Sequence, residues 1–173
     1  MDEATYLLLA ARDGDRDALV DFVRQTQGDL WRFAAAVVGP DAADDVTQET
    51  YLRAWRAAYG FRGDSSGKTW LLAIAKRVCY DAFRRQSRSG FGAPGPAQVI
   101  PDPAEQLALE DLISGLGTDR RVAFVLTQVL GLSYAQAAEV CHCPVGTIRS
   151  RVARARADLL HRIAHGSAEE IGS

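Results

Sequence analysis

Apolar positions near the C-terminal end of the chain recur at helical spacing and define two helices separated by a short break. Ser133 is a suitable N-cap for a first helix over Tyr134 to Val140. The turn at 141–143 precedes Pro144, which disfavours helix at the residue before it and suits the first turn of the next helix. That second helix extends to Leu160. Two helices joined by so tight a turn cross steeply, so the pattern predicts a helix-turn-helix.

The second of these helices has one apolar stripe and one polar face. On a helical wheel the stripe consists of Ile148, Val152, Ala155 and Leu159. Small residues at the start of such a helix let the backbone approach base edges, while Ser and Arg side chains can bond to bases and to phosphates. A solvated arginine-rich helix is the alternative interpretation. We predict DNA contact through Pro144, Val145, Gly146, Thr147, Arg149, Ser150, Arg151, Arg154 and Arg156.

Hydrophobic periodicity predicts helices in the rest of the chain as well, and no segment alternates as a strand does. The predicted helices are 5–13, 17–27, 30–38, 41–59, 68–85, one from 103 or 104 to 114, and 118–130, with caps at Asp17, Asp41 and Thr118 and breaks at Gly14, Gly28 and Gly39. The fold class is therefore all-α. The expected core residues are Phe22, Leu30, Trp31, Phe33 and Val37, followed by Leu107, Leu112, Val122, Phe124, Val125, Leu126 and Val129.

A stretch rich in glycine and proline, 86–104, divides the chain and has the composition of a linker. We therefore predict two small helical domains, 1–88 and 105–165, joined by a flexible linker over 89–104 and followed by a tail over 166–173. The 173 residues are 47% hydrophobic, which is enough for two compact cores.

The predicted helix over 41–59 has a polar half that contains an apolar residue. Leu52 lies among carboxylates and arginines there. An exposed leucine ringed by charges is typical of a partner-docking surface, although a simple solvated face is the alternative. The residues predicted to form this surface are Asp45, Gln48, Glu49, Leu52 and Arg53.

The predicted helix over 68–85 places aromatic residues and cations on the same face. Such a face suits single-stranded nucleic acid, because phosphates meet the cations and unstacked bases meet the rings. For Trp70 alone, burial at the edge of the domain is the alternative. The residues predicted to contact nucleic acid are Lys68, Thr69, Trp70, Lys76, Arg77, Tyr80 and Arg84, and Leu71, Ile74, Ala75, Val78 and Ala82 are expected on the buried side.

The net charge of −2 conceals a segregated distribution. Segments 61–90 and 120–165 each carry +5, whereas 1–60 and 91–119 each carry −5. Two basic segments separated by an acidic one indicate two separate contacts with polyanions rather than a diffuse basic coat.

Three blocks of the sequence resemble the extracytoplasmic-function (ECF, group IV) sigma factors of the sigma-70 family. The block GLSYAQAAEVCHCPVGTIRSRVARARADL resembles their region 4. DDVTQETYLRAW resembles region 2.2, and FRGDSSGKTWLLAIAKRVCYD resembles regions 2.3 and 2.4. The resemblance covers nearly the whole chain and extends in particular to SigC-like members from actinobacteria.

This resemblance implies a non-catalytic subunit that gives bacterial core RNA polymerase its promoter specificity. Asp45, Gln48 and Glu49 match the family's Asp-x-x-Gln-Glu pattern, which implies contact with the clamp helices of the largest polymerase subunit. The resemblance further implies duplex minus-35 recognition by the helix after Pro144, capture of the melted minus-10 strand by residues 68–85, and an anti-sigma factor as a partner. Arg77 departs from the asparagine usual in the family, so the minus-10 preference is not carried over from relatives.

Other functions fit the sequence less well. A free-standing helix-turn-helix regulator is the alternative, but it leaves the two predicted N-terminal surfaces unexplained. An enzyme is not expected, because no nucleophile, phosphate loop or carboxylate pair occurs at motif spacing. No cofactor is expected, and Cys141-His142-Cys143 is not expected to bind metal because adjacent residues cannot converge on one ion. No signal peptide or membrane-spanning stretch is recognisable, so a cytoplasmic protein without membrane insertion is expected.

Overall fold

The N-terminal half of the protein folds as a bundle of four helices. The computed structural model describes residues 1–88 and 112–169. In the first range, α1 is Glu3–Arg12, α2 is Arg16–Val38, α3 is Pro40–Ala57 and α4 is Gly67–Arg88, with a 3-10 turn over Ala58–Gly60. The predicted linker over 89–104 and the predicted helix that begins at 103 or 104, including Leu107, lie outside the described ranges, apart from helical residues 112–114.

Short side-chain caps define the first two helices. Asp2 accepts a hydrogen bond from the Thr5 amide at 2.9 Å, and Asp15 accepts from the Asp17 amide at 2.9 Å. The predicted hinge is confirmed at Gly14, where φ is 105°. The predicted cap at Asp17 is wrong, because Asp15 takes that position.

Helix α2 is a single helix, so the predicted break at Gly28 is wrong. A glycine inside a helix costs only about 1 kcal/mol relative to alanine. The buried residues on both sides of it, from Phe22 to Val37, supply more than that through packing. The helix ends where expected, at Gly39, whose φ of 93° favours glycine.

The starts of α3 and α4 depend on different local chemistry. Pro40 occupies the first turn of α3, and Gly39 precedes it without a side-chain cap, so the predicted cap at Asp41 is wrong. At the start of α4, Gly67 touches α1: a β-carbon there would lie 2.7 Å from the carbonyl oxygen of Ala4. The Gly67 amide also donates to the Thr5 hydroxyl at 2.8 Å. The beginning of α4 is therefore fixed against α1.

The second described range forms the helix-turn-helix domain. Helix α5 is Thr118–Phe124 and continues as a π-helical stretch over Val125–Val129, α6 is Tyr134–Cys141 and α7 is Val145–Glu169. Gly117, not Thr118, is the N-cap of α5. Helix α7 begins one residue after Pro144 and extends beyond the predicted end at Leu160.

The predicted cores are mostly confirmed, with corrections at amphipathic aromatic residues and at one valine. Phe22, Leu30, Phe33 and Val37 are buried in the first domain, and Val122, Val125 and Leu126 in the second, while Leu112 and Phe124 are half-buried. Trp31 is instead exposed, because its indole nitrogen donates to Asp44 at 2.8 Å. Trp55 of α3 is 43% exposed, and Val129 lies on the surface of the π-helical stretch. In α4 the buried hydrophobic residues are Leu71, Leu72, Ala75, Val78 and Cys79, while Ile74 and Ala82 are half-buried.

The two domains pack against each other. Helix α4 contacts α6, and α2 contacts α5 and the π-helical stretch. Most buried residues of both domains consequently form one continuous cluster, while Leu116, Ala155 and Leu159 form a separate cluster in the second domain. We call the line of contact between the domains the seam. Within residues 1–88 and 112–169, no helix is long and apolar enough to cross a membrane.

Candidate nucleic-acid interface and docking surface

The turn of the helix-turn-helix is fixed by hydrogen bonds at both ends of α6. Ser133 and Gln136 form a reciprocal capping box, with the Gln136 amide donating to the Ser133 hydroxyl at 3.1 Å and the Ser133 amide donating to the Gln136 side chain at 2.9 Å. At the other end His142 has a φ of 51°, the left-handed conformation that ends many helices. The Cys143 amide then donates to the Ala138 carbonyl at 3.1 Å. The predicted helix-turn-helix is confirmed.

Helix α7 presents the predicted faces. Its stripe of Ile148, Val152, Ala155 and Leu159 is buried. Pro144, Val145, Gly146, Arg149, Ser150, Arg154 and Arg156 are exposed, and Thr147 and Arg151 are half-buried. The apolar stripe holds the helix on its own domain, so the opposite face is available to a groove of DNA.

The arginines of α7 differ in their intramolecular contacts. Arg151 donates to Asp119 at 2.7 Å and Arg156 donates to Gln128 at 2.6 Å. Among the described residues, Arg149 and Arg154 have no hydrogen-bonding partner. These two guanidinium groups are therefore the ones that can bind a ligand without breaking an existing contact.

Helix α4 carries Lys76, Arg77 and Tyr80 on the side that faces the second domain. The Lys76 ammonium donates to the Cys141 carbonyl at 3.1 Å, and Arg77 Nη2 lies 3.3 Å from His142 Nε2. The Tyr80 hydroxyl donates to Asp119, and burial, together with this carboxylate, raises the pKa of Tyr80. The seam thus covers part of the predicted single-strand face.

The N-terminal residues of α4 depart from the predicted face. Thr69 is only 2% exposed and its hydroxyl accepts from Ser66 at 2.8 Å, so its inclusion as a surface contact is wrong. Trp70 is half-buried against Phe61, with ring centroids 5.1 Å apart, which favours the alternative of burial at the domain edge. Lys68 forms an ion pair with Asp29. The cationic part of the face begins at Lys76.

The polar half of α3 is exposed in part, with Glu49 and Arg53 half-buried. Asp45 and Gln48 are exposed, and the neighbouring Leu52 is 52% exposed. Beside this surface lies an apolar groove of about 310 Å³ between α1, α2 and α3, to which Gln48, Leu52 and Trp55 contribute. An exposed apolar groove edged by polar groups is typical of a protein-binding surface. We call Asp45, Gln48, Glu49, Leu52 and Arg53 the docking surface.

Arg53 connects the docking surface with α4. Its Nε donates to Glu49 at 2.7 Å and its Nη1 donates to Asp81 at 2.7 Å. Asp81 and then Glu49 raise the pKa of Arg53, and Arg53 lowers the pKa of Asp81. Both ion pairs are more than a third exposed, so each contributes little to stability, on the order of 0–1 kcal/mol.

Two residues at the seam were not predicted. Asp119 accepts from Tyr80 and from Arg151, one residue from each predicted nucleic-acid face. Arg121 donates to the Val37 carbonyl at 2.7 Å across the seam and to the Leu116 carbonyl at 3.1 Å, and burial lowers the pKa of Arg121. The segregation of charge along the chain is the one sequence signal that bears on these contacts, since Asp119 ends the acidic segment 91–119.

Comparison with known families matches both domains. The Sigma-70 region 2 family matches residues 22–89, and the Sigma-70, region 4 family matches residues 106–159. The chain is 50% identical to the ECF RNA polymerase sigma factor SigC of Mycobacterium tuberculosis over 92% of this chain and 91% of the relative. It is 32% identical to the ECF RNA polymerase sigma-E factor of Escherichia coli, over 87% of this chain and 88% of the relative.

Two solved protein complexes contain a chain with the same fold. CnrH in complex with the cytosolic domain of CnrY superposes with a TM-score of 0.77 at 27% identity, covering 95% of this chain and 99% of that one. The sigma factor RpoE in complex with the anti-sigma factor NepR, from Bartonella quintana, has a TM-score of 0.69 at 31% identity, covering 83% of this chain and 97% of that one.

A two-domain helical protein with a region 2 bundle and a region 4 helix-turn-helix is a sigma-70-type transcription initiation factor. Within that class, the chain belongs to the ECF RNA polymerase sigma factors and is SigC-like. It acts with RNA polymerase at promoter DNA, and the alternative of a free-standing regulator is not favoured.

Proposed function

We propose that three separate surfaces of this sigma factor bind three different partners during initiation. The surfaces lie on two domains, 1–88 and 105–165, which the linker over 89–104 joins. The docking surface on α3 binds core polymerase, α7 binds the duplex minus-35 element, and the cations of α4 bind the melted minus-10 strand. The observation that carries this proposal is the separation of the two cationic faces on different domains. Neither face alone offers the contact area of a dimeric regulator, so a third body must hold both at the right spacing.

This division predicts that promoter recognition depends on polymerase. The purified protein is expected to bind duplex promoter DNA weakly and with steep salt dependence, because phosphate contacts dominate when one recognition helix acts alone. Specific transcription is expected only after core polymerase is added. Fluorescence anisotropy over a salt series, followed by run-off transcription, measures both. Tight, sequence-specific binding by a dimer of the protein alone, with no transcription when polymerase is supplied, would contradict the proposal.

We further propose that the arrangement with the seam closed is a resting form. Lys76, Arg77 and Tyr80 all contact the second domain across the seam. With the second domain packed over these side chains, an extended nucleotide strand cannot lie along them. Binding of the minus-10 strand therefore requires the seam to open.

Replacing Asp119 by alanine tests this resting form. The substitution removes the acceptor shared by Tyr80 and Arg151. Because Asp119 is exposed, the loss should be about 1–2 kcal/mol, which shifts the balance toward the open form by roughly fivefold to thirtyfold. Small-angle scattering should report a larger radius of gyration, and an unpaired minus-10 oligonucleotide should bind more tightly. Asp64→Ala, in an exposed loop, is the control. If both variants have the same radius of gyration and the same affinity for the oligonucleotide, the closed resting form is contradicted.

An anti-sigma factor is proposed as a regulatory partner. The structure of RpoE that shares this fold holds the anti-sigma factor NepR. The apolar groove beside the docking surface gives such a partner a place to bind at the same time as it blocks polymerase. The protein is proposed to work in the cytoplasm, where polymerase and promoter DNA are found, as a subunit without catalytic activity of its own.

A further inference from the structure

A cleft of about 400 Å³ lies at the seam, between α4 and the turn of the helix-turn-helix. Its walls carry the cations Arg53, Lys76, Arg77 and Arg84, together with Asp81 and His142. The volume is that of a small-molecule site. His142 belongs to the second domain, so the cleft has this wall only while the seam is closed.

The positive charge of this cleft is largely uncompensated. Asp81 is already bonded to Arg53, which also bonds to Glu49. The Lys76 ammonium donates to the carbonyl oxygen of Cys141 and lies 5.5 Å from the centre of the Tyr80 ring. Among the described residues, the one hydrogen-bonding partner of Arg77 is the imidazole of His142, and Arg84 has no hydrogen bond. Three cations of one helix thus face the cleft without a carboxylate bonded to any of them.

The spacing of these cations points to an extended anion. Arg77 and Arg84 are seven residues apart, which is about 10 Å along α4. A single phosphate has few oxygens with which to bond to all the groups along this row. A linear polyphosphate can bond to all of them, and each N–H···O⁻ contact with it is charge-assisted.

We propose that this cleft binds the polyphosphate chain of a small anion, either inorganic or part of a nucleotide, and that the bound anion holds the seam closed. The anion bonds to Lys76, Arg77 and Arg84 on α4 and to His142 on the second domain. It therefore competes with the minus-10 strand for the same cations. This inference rests on the proposed function, because the α4 face it occupies is the one assigned to the strand.

Binding is tested with the full chain and sodium tripolyphosphate, measured by isothermal titration calorimetry at constant ionic strength. We expect saturable binding that is much weaker for monophosphate. Arg84→Gln and Arg77→Gln should each weaken it by about fivefold to tenfold, since each removes a charge-assisted contact at a partly exposed site. Arg24→Gln, an exposed arginine on α2 outside the cleft, is the control and should bind as the parent does. Equal loss in all three variants means nonspecific attraction and overturns the proposal.

The role of the second domain is tested with His142→Ala. This variant keeps all three cations of α4, so a merely cationic helix would bind tripolyphosphate unchanged. We expect weaker binding, and we expect tripolyphosphate to reduce the radius of gyration of Asp119→Ala but not of Asp119→Ala with His142→Ala. Unchanged affinity of His142→Ala would show that the anion does not bridge the seam.

Two further experiments distinguish inorganic polyphosphate from a nucleotide as the ligand, and distinguish failure of this inference from failure of the proposed function. If adenosine triphosphate binds as tightly as tripolyphosphate, the polyphosphate chain alone is the recognised group. If adenosine triphosphate binds more tightly, the protein also contacts the nucleoside. Tripolyphosphate should also displace a minus-10 oligonucleotide from the free protein. If the protein does not bind tripolyphosphate but still directs transcription with core polymerase, this inference is wrong and the proposed function stands. If no transcription occurs, the proposed function is wrong.

Discussion

The double substitution Gln48→Ala with Glu49→Lys is expected to abolish association with core RNA polymerase. Both residues belong to the docking surface, where Gln48 is exposed and Glu49 is half-buried. Charge reversal at an interface places like charges together and leaves polar groups unpaired, which costs several kcal/mol. Co-elution on size-exclusion chromatography measures the loss, and promoter-directed transcription should disappear with it.

Loss of folding must be separated from loss of binding. Glu49→Lys breaks the ion pair with Arg53, but an exposed pair contributes only about 0–1 kcal/mol, so the melting temperature should change little. A matched control is Gln27→Ala with Asp21→Lys on α2, which also removes an exposed glutamine and reverses an acid that pairs with an arginine. If the docking variant still co-elutes with polymerase, the surface on α3 is only solvated.

Arg154→Ala and Arg149→Ala are expected to impair promoter binding in different ways. Both arginines lack an intramolecular hydrogen bond among the described residues, so neither loss is confounded by a broken internal contact. Arg154, on the face opposite the buried stripe, should discriminate among minus-35 sequences by about 1–3 kcal/mol. Arg149 flanks the stripe, and its removal should weaken binding to all sequences alike.

A panel of promoters with single substitutions in the minus-35 element measures this difference in the presence of polymerase. Arg154→Ala should flatten the affinity profile across the panel, and Arg149→Ala should lower it uniformly. Parallel losses for both variants at every position would contradict the assigned roles.

Features that depend on neighbouring residues in the chain could be predicted from the sequence. The helix-turn-helix rests on Ser133, Gln136 and Pro144, which act within one or two helical turns of their own positions. The buried stripe of α7 likewise follows from helical spacing alone. The errors fell where local propensity and tertiary packing disagree, as at Gly28, which helix packing carries through α2.

Amphipathic side chains were harder to place. Trp31 and Trp55 have large apolar rings, and composition alone favours a buried position for both. Trp31 instead lies at the surface because its indole N–H finds the carboxylate of Asp44, thirteen residues away. Thr69 was misplaced for the opposite reason, since a polar residue next to a cationic face was in fact buried through its bond to Ser66.

The seam could not be predicted from helical periodicity. Its contacts join residues far apart in sequence, such as Lys76 with Cys141 and Arg121 with Val37. A helical wheel shows which face is polar but not whether another domain covers it. Predicted contact faces on α4 and α7 consequently share one internal acceptor, Asp119, that no single-helix pattern reveals.

Arg53 gives the docking surface and α4 a common element. Its guanidinium spans Glu49 on the surface assigned to polymerase and Asp81 on the helix assigned to the promoter strand. If a basic group of a partner pairs with Glu49, it competes with the Arg53 guanidinium for that carboxylate. Arg53 then pairs with Asp81 alone. We expect occupation of one surface to alter the charge balance beside Arg77 and Arg84, and by thermodynamic reciprocity we expect a strand bound on α4 to alter the affinity of α3 for its partner. The two ligands would then be coupled through one shared side chain of the first domain.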